Sequence, residues 1–375
     1  MHAAAPESVF TALRSALDEH QLSCQLWLAD YQLTALSAVD QATPATTRSL
    51  ADGITGRVFT TQRAAITFAE STTEAYLPVD DRGARLGVLY VLAETTLTSG
   101  DVDALQVIAG ALGQHIAAAG RYTDHFERYR RSRALTLAAE LQWALLPPTS
   151  HADPRFDVAG LLEPAYSVAG DTFDWSINGD ILTIAVCDGT TRGVPAALAT
   201  TLCATSLRNA RRAGLTLSDQ AALADQALYA HYSGATYVAA ALVEIDLRQW
   251  RAVVVDAGSP QLFRVRAAQT TRLTPDAQLP LGMFDETRYD PQPLDLAPGD
   301  RLVVISDGVH AATGTTITTE AFGEKLLAQA IISTANVPTG EAASEMIAAL
   351  HRHTGDLDDD AVVFVFDWTP QDSRH

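Results

Sequence analysis

The sequence predicts an α+β chain in which two unlike domains are joined by a helix. Three observations carry this. Strand-like runs rich in Val, Ile and aromatic residues recur through the C-terminal part, separated by apolar residues at helical spacing. The first 120 residues carry a smaller strand and helix mixture of their own. At 375 residues, the chain is long for one compact domain and comfortable for two.

Residues 1–120 read as a small α/β domain. Its first amphipathic helix covers Val9 to Leu17, and QLSCQLWLA and QLTALSAV follow as paired strands. Gly53 and Gly56 punctuate GITGRVF, and RLGVLYVLA supplies another strand. In the last stretch, Val102, Leu105, Ile108, Leu112 and Ile116 recur at helical spacing behind Ser99 and Asp101 as capping residues.

Residues 121–148 read as a connector helix. Tyr122, Phe126, Tyr129, Leu137, Leu141 and Leu145 form one apolar seam, which Pro147 and Pro148 terminate. The seam suits either a two-helix signalling coil or packing against its own domain. Arg128, Arg130, Arg131 and Arg133 cluster on the same segment and read as a solvated face.

Residues 149–375 alternate strands with helices. FDVAGLLE, DILTIAVCD, TYVAAALVEID, WRAVVVDAG, QLFRVR, RLVVISDG and DAVVFVFDW are the predicted strands, with a hairpin turn at DLRQ. Helices are predicted over Val194–Ala213, Ser218–Tyr232, Ala321–Ser333 and Glu341–His353. Strands this close in sequence suit antiparallel pairing, with the helices as outer layers.

Composition excludes several functions. Hydrophobic residues make up 47% and charged residues 19% of the chain, so it can bury real cores. No run of ~18 apolar residues predicts a membrane span, and MHAAAPESVF lacks the pattern of an export signal, which points to the cytoplasm. The net charge of −19, from 45 acidic and 26 basic residues, disfavours nucleic acid and anionic membrane as partners. Cys24, Cys187 and Cys203 are too few and too scattered for a disulfide framework or a zinc cage, and read as free thiols.

The chemistry lies in the aspartates. ILTIAVC ends in Asp188-Gly189, RLVVIS ends in Asp307-Gly308, and AVVFVF follows Asp358, Asp359 and Asp360. A further acidic stretch, AGDTFD, runs from Ala169 to Asp174 and includes Asp171. Each Asp-Gly alone is an ordinary turn. Gathered at one sheet rim, the carboxylates would repel one another strongly unless a cation lay between them. Oxygen donors without His or Cys suit magnesium or manganese.

Two family resemblances follow from these residues. SLADGITGRVFTTQRAAITF, YLPVDDRGARLGVLYVLAE and SGDVDALQVIAGALGQHIAAA resemble a GAF domain, which implies a sensory or dimerisation role. No Cys–His pair suggests a bilin or haem site, so a cofactor-free module is expected. Over residues 137 to 369 the chain resembles the SpoIIE/RsbU branch of the PPM metal-dependent protein phosphatases. The motifs are LQWALLPP, AGDTFDW, CDGTTRGVPAALA, DAGSPQLFRV, LPLGMF, LAPGDRLVVISDGVHAA and DDDAVVFVF, in family order.

The second resemblance implies a PPM-type αββα sandwich that hydrolyses phosphoserine or phosphothreonine on a protein. It implies two Mn2+ or Mg2+ ions: Asp188 bridging them, the Gly189 carbonyl completing one shell, and Asp307 and Asp359 holding the other ion. Asp171 would bind or orient metal-bound water, and Asp174 and Asp360 would support the ligands. The substrate class implied is a phosphorylated anti-anti-sigma factor of the STAS fold, with a homodimer formed through the GAF-like domain and connector. Cys187 lies within a strand, so thiol chemistry is not expected.

The match departs at two places. Thr191-Arg192 stands where the family has Gly-His, and Ser259 stands where it has His after Ala-Gly. Thr tolerates positive φ poorly, so the turn at Thr191 is a point of expected strain. Arg192 either reaches the substrate phosphate or is simply exposed near a helix start. The alternative function is a catalytically weak or inactive phosphatase-fold module that binds a regulatory partner.

Overall fold

The computed structural model describes residues 5–39, 46–69, 72–81, 84–163, 170–310, 312, 324–354 and 359–369. The chain divides into two compact units, Met1–Ala134 and Leu135–His375. Among the described residues, no helix is long and apolar enough to cross a membrane.

The first unit contains α1 (Val9–Asp18), β1 (Leu22–Ala29), β2 (Ala35–Ala38), β3 (Thr47–Ser49), α2 (Gly53–Thr61), β4 (Ala65–Ala69), β5 (Thr72–Asp81), β6 (Ala84–Ala93) and α3 (Ser99–Ala119). The strands form one antiparallel sheet in the order β3-β2-β1-β6-β5-β4. Val9, Phe10, Leu13 and Leu17 of α1, with Leu105, Ala109, Leu112 and Ile116 of α3, cover one face. Val58 and Phe59 of α2 cover part of the other, against Trp27, Tyr76 and Val88. The cap of α3 is Thr98, one residue before the expected Ser99. Its hydroxyl accepts from the Asp101 backbone N–H, while the Asp101 side chain accepts from the Thr98 N–H.

The expected connector helix is not continuous. α3 ends at Ala119, a single 3-10 turn covers Glu127–Tyr129, and α4 (Leu137–Leu145) begins in the second unit. Local chemistry explains the break. Thr136 starts a new helix by accepting from the Ala139 N–H, and Phe126 and Tyr129 fold back onto the first unit's core. The Tyr31 hydroxyl donates to Glu127, and the Arg130 guanidinium lies over the Tyr31 ring at 4.9 Å. The seam is not one surface either, since Tyr122 is 79% exposed while Phe126 is 2% exposed.

The second unit continues with β7 (Ser150–Asp153), β8 (Phe156–Glu163), β9 (Thr172–Asn178), β10 (Ile181–Gly189), α5 (Val194–Arg212), α6 (Leu217–Tyr232), β11 (Val238–Asp246), β12 (Arg251–Ala257), β13 (Gln261–Arg266) and β14 (Gln269–Leu273). It ends with β15 (Gln292–Leu294), β16 (Arg301–Ile305), α7 (Asp307–His310), α8 (Glu324–Ser333), α9 (Thr339–Thr354) and β17 (Ala361–Trp368). The predicted helix start at Ala321 falls outside the described residues. The β11–β12 hairpin closes where expected, with the Asp246 carboxylate accepting from the Arg248 and Gln249 N–H groups.

Two antiparallel sheets result, β15-β12-β11-β10-β9 and β14-β13-β16-β17-β8-β7. Strand alternation sorts their side chains into layers. Leu182, Ile184 and Val186 of β10 meet Val362, Phe364 and Phe366 of β17 between the sheets. Ala185 and Cys187 face α5 and α6, while Val363 and Val365 face α8 and α9. The order helix, sheet, sheet, helix is the expected αββα sandwich.

Phe364 is fully buried and meets the Phe173 ring at 5.7 Å between centroids. Phe364→Ala is expected to cost about 3–5 kcal/mol, seen as an earlier urea-unfolding midpoint for the second unit.

Candidate active site at the rim of the two sheets

The strands that build the inter-sheet core also deliver the acids to its rim. In β10 the inward row Leu182, Ile184, Val186 continues to Asp188, which is buried. In β16 the row Leu302, Val304 continues to Ser306, after which the chain turns into α7 at Asp307. In β17 the row Val362, Phe364, Phe366 is preceded by the buried Asp360. Asp171 lies one residue before β9 and is also buried.

Backbone contacts fix these positions. Asp360 Oδ2 accepts from the N–H groups of Gly170 and Asp171, the latter at 3.1 Å. The Val362 N–H donates to Ser306 Oγ at 2.9 Å, and the Ser306 hydroxyl lies near Asp171. α7 presses so closely on Asp360 that a Cβ on Gly308 would lie 1.7 Å from the Asp360 carbonyl oxygen. Gly189 is more loosely enclosed, where a Cβ would lie 3.1 Å from the Gly170 carbonyl oxygen and 3.2 Å from the Thr200 methyl.

The electrostatics follow from this crowding. Burial, then the charges of Asp188 and Asp360, hold the Asp171 carboxyl well above the usual carboxylate range. The Asp188 carboxyl is pushed up to about 6, first by burial and then by the charge of Asp307, with Asp359 adding to it. The nearby Ser259 hydroxyl opposes the shift. Asp171, Asp188, Asp307, Asp359 and Asp360 therefore form one electrostatic cluster.

The cluster fits a hard divalent cation in its chemistry: the donors are all oxygen, and Asp171 Oδ2 is buried with no hydrogen-bond partner. As the side chains stand, no three His, Cys, Asp or Glu groups among the described residues close on a common point tightly enough to hold an ion. Both oxygens of Asp359 are engaged, Oδ1 by the Asp360 N–H at 3.0 Å and Oδ2 by Arg192 Nη2 at 3.1 Å.

Asp174 differs from its expected supporting role. Its carboxylate lies toward α5 in ion pairs with Arg208 at 2.8 Å and Arg211 at 3.0 Å. The neighbouring Phe173 points between the sheets, so alternation along β9 turns Asp174 to the opposite face. Asp358 and Ala169 lie outside the described residues.

The strain expected at Thr191 is also absent. Thr191 does not have positive φ, which falls instead on Gly193 at 70°, just before α5. Of the three thiols, Cys187 and Cys203 are buried, Cys24 is half-buried, and all are free. The neighbouring Cys203 thiol, followed by burial, holds the Cys187 thiol well above its ordinary value, which suits an inert group.

Sequence reasoning missed two supports. Ser259 lies near Asp188, on the turn after β12 in which the Gly258 N–H donates to Asp256 Oδ1 at 3.2 Å. Gln142 of α4 is fully buried and donates to Thr200 Oγ1 at 2.8 Å. The only available signal for the second was a polar residue in the apolar stretch LQWALL.

The αββα sandwich with acids gathered at one rim is the fold of a PPM-type phosphatase domain. Residues 178–369, just over half of the chain, match the family described as Stage II sporulation protein E (SpoIIE), and the chain belongs to that family. Among solved structures, it is similar to the PP2C domain of SiaA from Pseudomonas aeruginosa. The identity is 24% and the TM-score 0.52, over 61% of this chain and 93% of that one. It is also similar to a Mycobacterium tuberculosis structure of RsbU and RsbW domains, at 24% identity and TM-score 0.51, over 58% of this chain and 60% of that one. No curated protein matches the chain.

A raised carboxyl value means that the charged form is disfavoured in the fold, so stability is lost as pH rises through about 6. In chelator, Asp188→Asn is therefore expected to raise the melting temperature at pH 7.5. The gain is expected to shrink at pH 5, where Asp188 already carries a proton; scanning calorimetry at the two pH values measures the difference.

Proposed function

We propose that the second unit is a metal-dependent protein serine/threonine phosphatase and that the first unit regulates it. The observation that carries this reading is the convergence of Asp171, Asp188, Asp307 and Asp359 at one rim, with a buried Asp171 oxygen left unpartnered. A scaffold alone has no physical use for such repulsion. Family membership supports the same reaction class.

Asp188, the Gly189 carbonyl, Asp307 and Asp359 are the proposed holders of Mn2+ or Mg2+, with Asp171 beside them. When bound, the cations would supply charge stabilisation for the phosphoryl oxygens and an activated water nucleophile. The chain's own residues do the positioning. Asp360 fixes the Gly170–Asp171 backbone through Oδ2, and the Ser306 and Ser259 hydroxyls lie near Asp171 and Asp188, where they favour the charged carboxylates. Arg192, 69% exposed at its side chain and ion-paired with Asp359, is the guanidinium proposed to meet an incoming phosphate when it releases that partner.

The substrate proposed is a phosphorylated regulatory protein, and the family resemblance makes the STAS type the first to test. The first unit is proposed as a GAF-like sensory or dimerisation module. The break between α3 and α4 removes support for a dimer held by one continuous connector helix. Size-exclusion chromatography with light scattering of the full chain tests whether the first unit pairs.

The deciding experiment is hydrolysis of p-nitrophenyl phosphate and a phosphoserine peptide, with manganese and with chelator. Turnover is expected only with the metal. Asp188→Asn is expected to lower it by roughly 10²-fold or more and to weaken manganese binding. Full activity in that variant would sink the assignment.

A further inference from the structure

We propose that Arg192 competes with a divalent cation for Asp359, so that the outer part of the metal site fills only when the guanidinium lets go. This rests on the reading of the rim as a cation site. It concerns which of the cluster's acids is available to the ion.

The five acids are not equally exposed to positive charge. Asp171 and Asp188 are buried, and neither is paired with an arginine among the described residues. Asp359 is paired, through Arg192 Nη2 to Oδ2 at 3.1 Å. Its side chain is 43% exposed and that of Arg192 is 69% exposed. An exposed pair of this kind is weak and exchangeable, so a doubly charged ion at the rim can displace it.

The loop that carries Arg192 is itself held. Thr190 Oγ1 donates to the Tyr237 carbonyl at 2.8 Å, and Gly193 turns the chain into α5. The long arginine side chain can therefore swing without moving the Asp188–Gly189 backbone beside it. Two classes of manganese site follow. The tighter class, on Asp188 and the Gly189 carbonyl with Asp171 beside them, is indifferent to Arg192, while the weaker class, which needs Asp359, is opposed by it.

The test is manganese titration of the full chain stripped with chelator, by calorimetry and by the electron paramagnetic resonance signal of free Mn2+. Wild type is compared with Arg192→Ala, Arg192→Lys and Asp359→Asn, each first shown by its melting curve to be folded. Arg192→Ala is expected to tighten the weaker class about fivefold and leave the tighter class unchanged. Arg192→Lys is expected to fall between, and Asp359→Asn to remove the weaker class. An unchanged or weakened second class in Arg192→Ala, with Asp359→Asn still removing it, overturns the competition and leaves the metal site standing. Absence of manganese binding in wild type and every variant overturns the metal reading itself, and the competition with it.

Discussion

Mutual repulsion among buried carboxylates is the constraint on which the second unit depends. Asp171 and Asp188 sit where burial and neighbouring charge both disfavour ionisation. They are kept there by a two-sheet core whose inward rows end at that rim, and by contacts too close to relax. Gly308 against the Asp360 carbonyl, and Gly170 against Ala196, leave no room for a Cβ. The stable part of the sandwich thus holds an unfavourable group in place, as functional sites commonly require.

Positive charge is graded across the same region. Asp174 is neutralised by two arginines on the helix side, Asp359 by one at the surface, and Asp171 and Asp188 by none among the described residues. Three acids within AGDTFD and DDDAVV therefore have three different fates. Asp174 fastens β9 to α5, Asp360 fixes a backbone turn, and Asp171 keeps an oxygen free of partners. Residue type alone does not distinguish them; the face of the strand does.

Legibility in the sequence followed burial. The seven predicted strands of the second unit correspond to β8, β10, β11, β12, β13, β16 and β17, each with a strand on both sides. The strands not anticipated, β7, β9, β14 and β15, are the four sheet edges. Edge strands such as QTTRL and QPL are short and polar because water satisfies one side of them, so they lack the apolar run that marks a central strand. The rim acids were legible for the complementary reason, since a carboxylate ending a long apolar run is conspicuous. The connector was misread because helical spacing persists from Tyr122 to Leu145, while the Thr136 cap and the return of Phe126 to its own core depend on local and tertiary contacts. The partners of Arg192 and Ser259 depend on loops meeting across the rim, which no local pattern encodes.

The acidic surface has a kinetic consequence for any phosphorylated partner. With 45 acidic against 26 basic residues, the chain's field opposes a dianionic group once it comes within about a Debye length, roughly 8 Å at physiological ionic strength. Encounter is then slow for a bare phosphopeptide and quickens as salt screens the field. A partner whose phosphosite is ringed by Lys and Arg is drawn in instead, and its association slows as salt is added. The sign of the salt dependence thus separates substrates by the charge around the phosphate before any group at the rim has made contact.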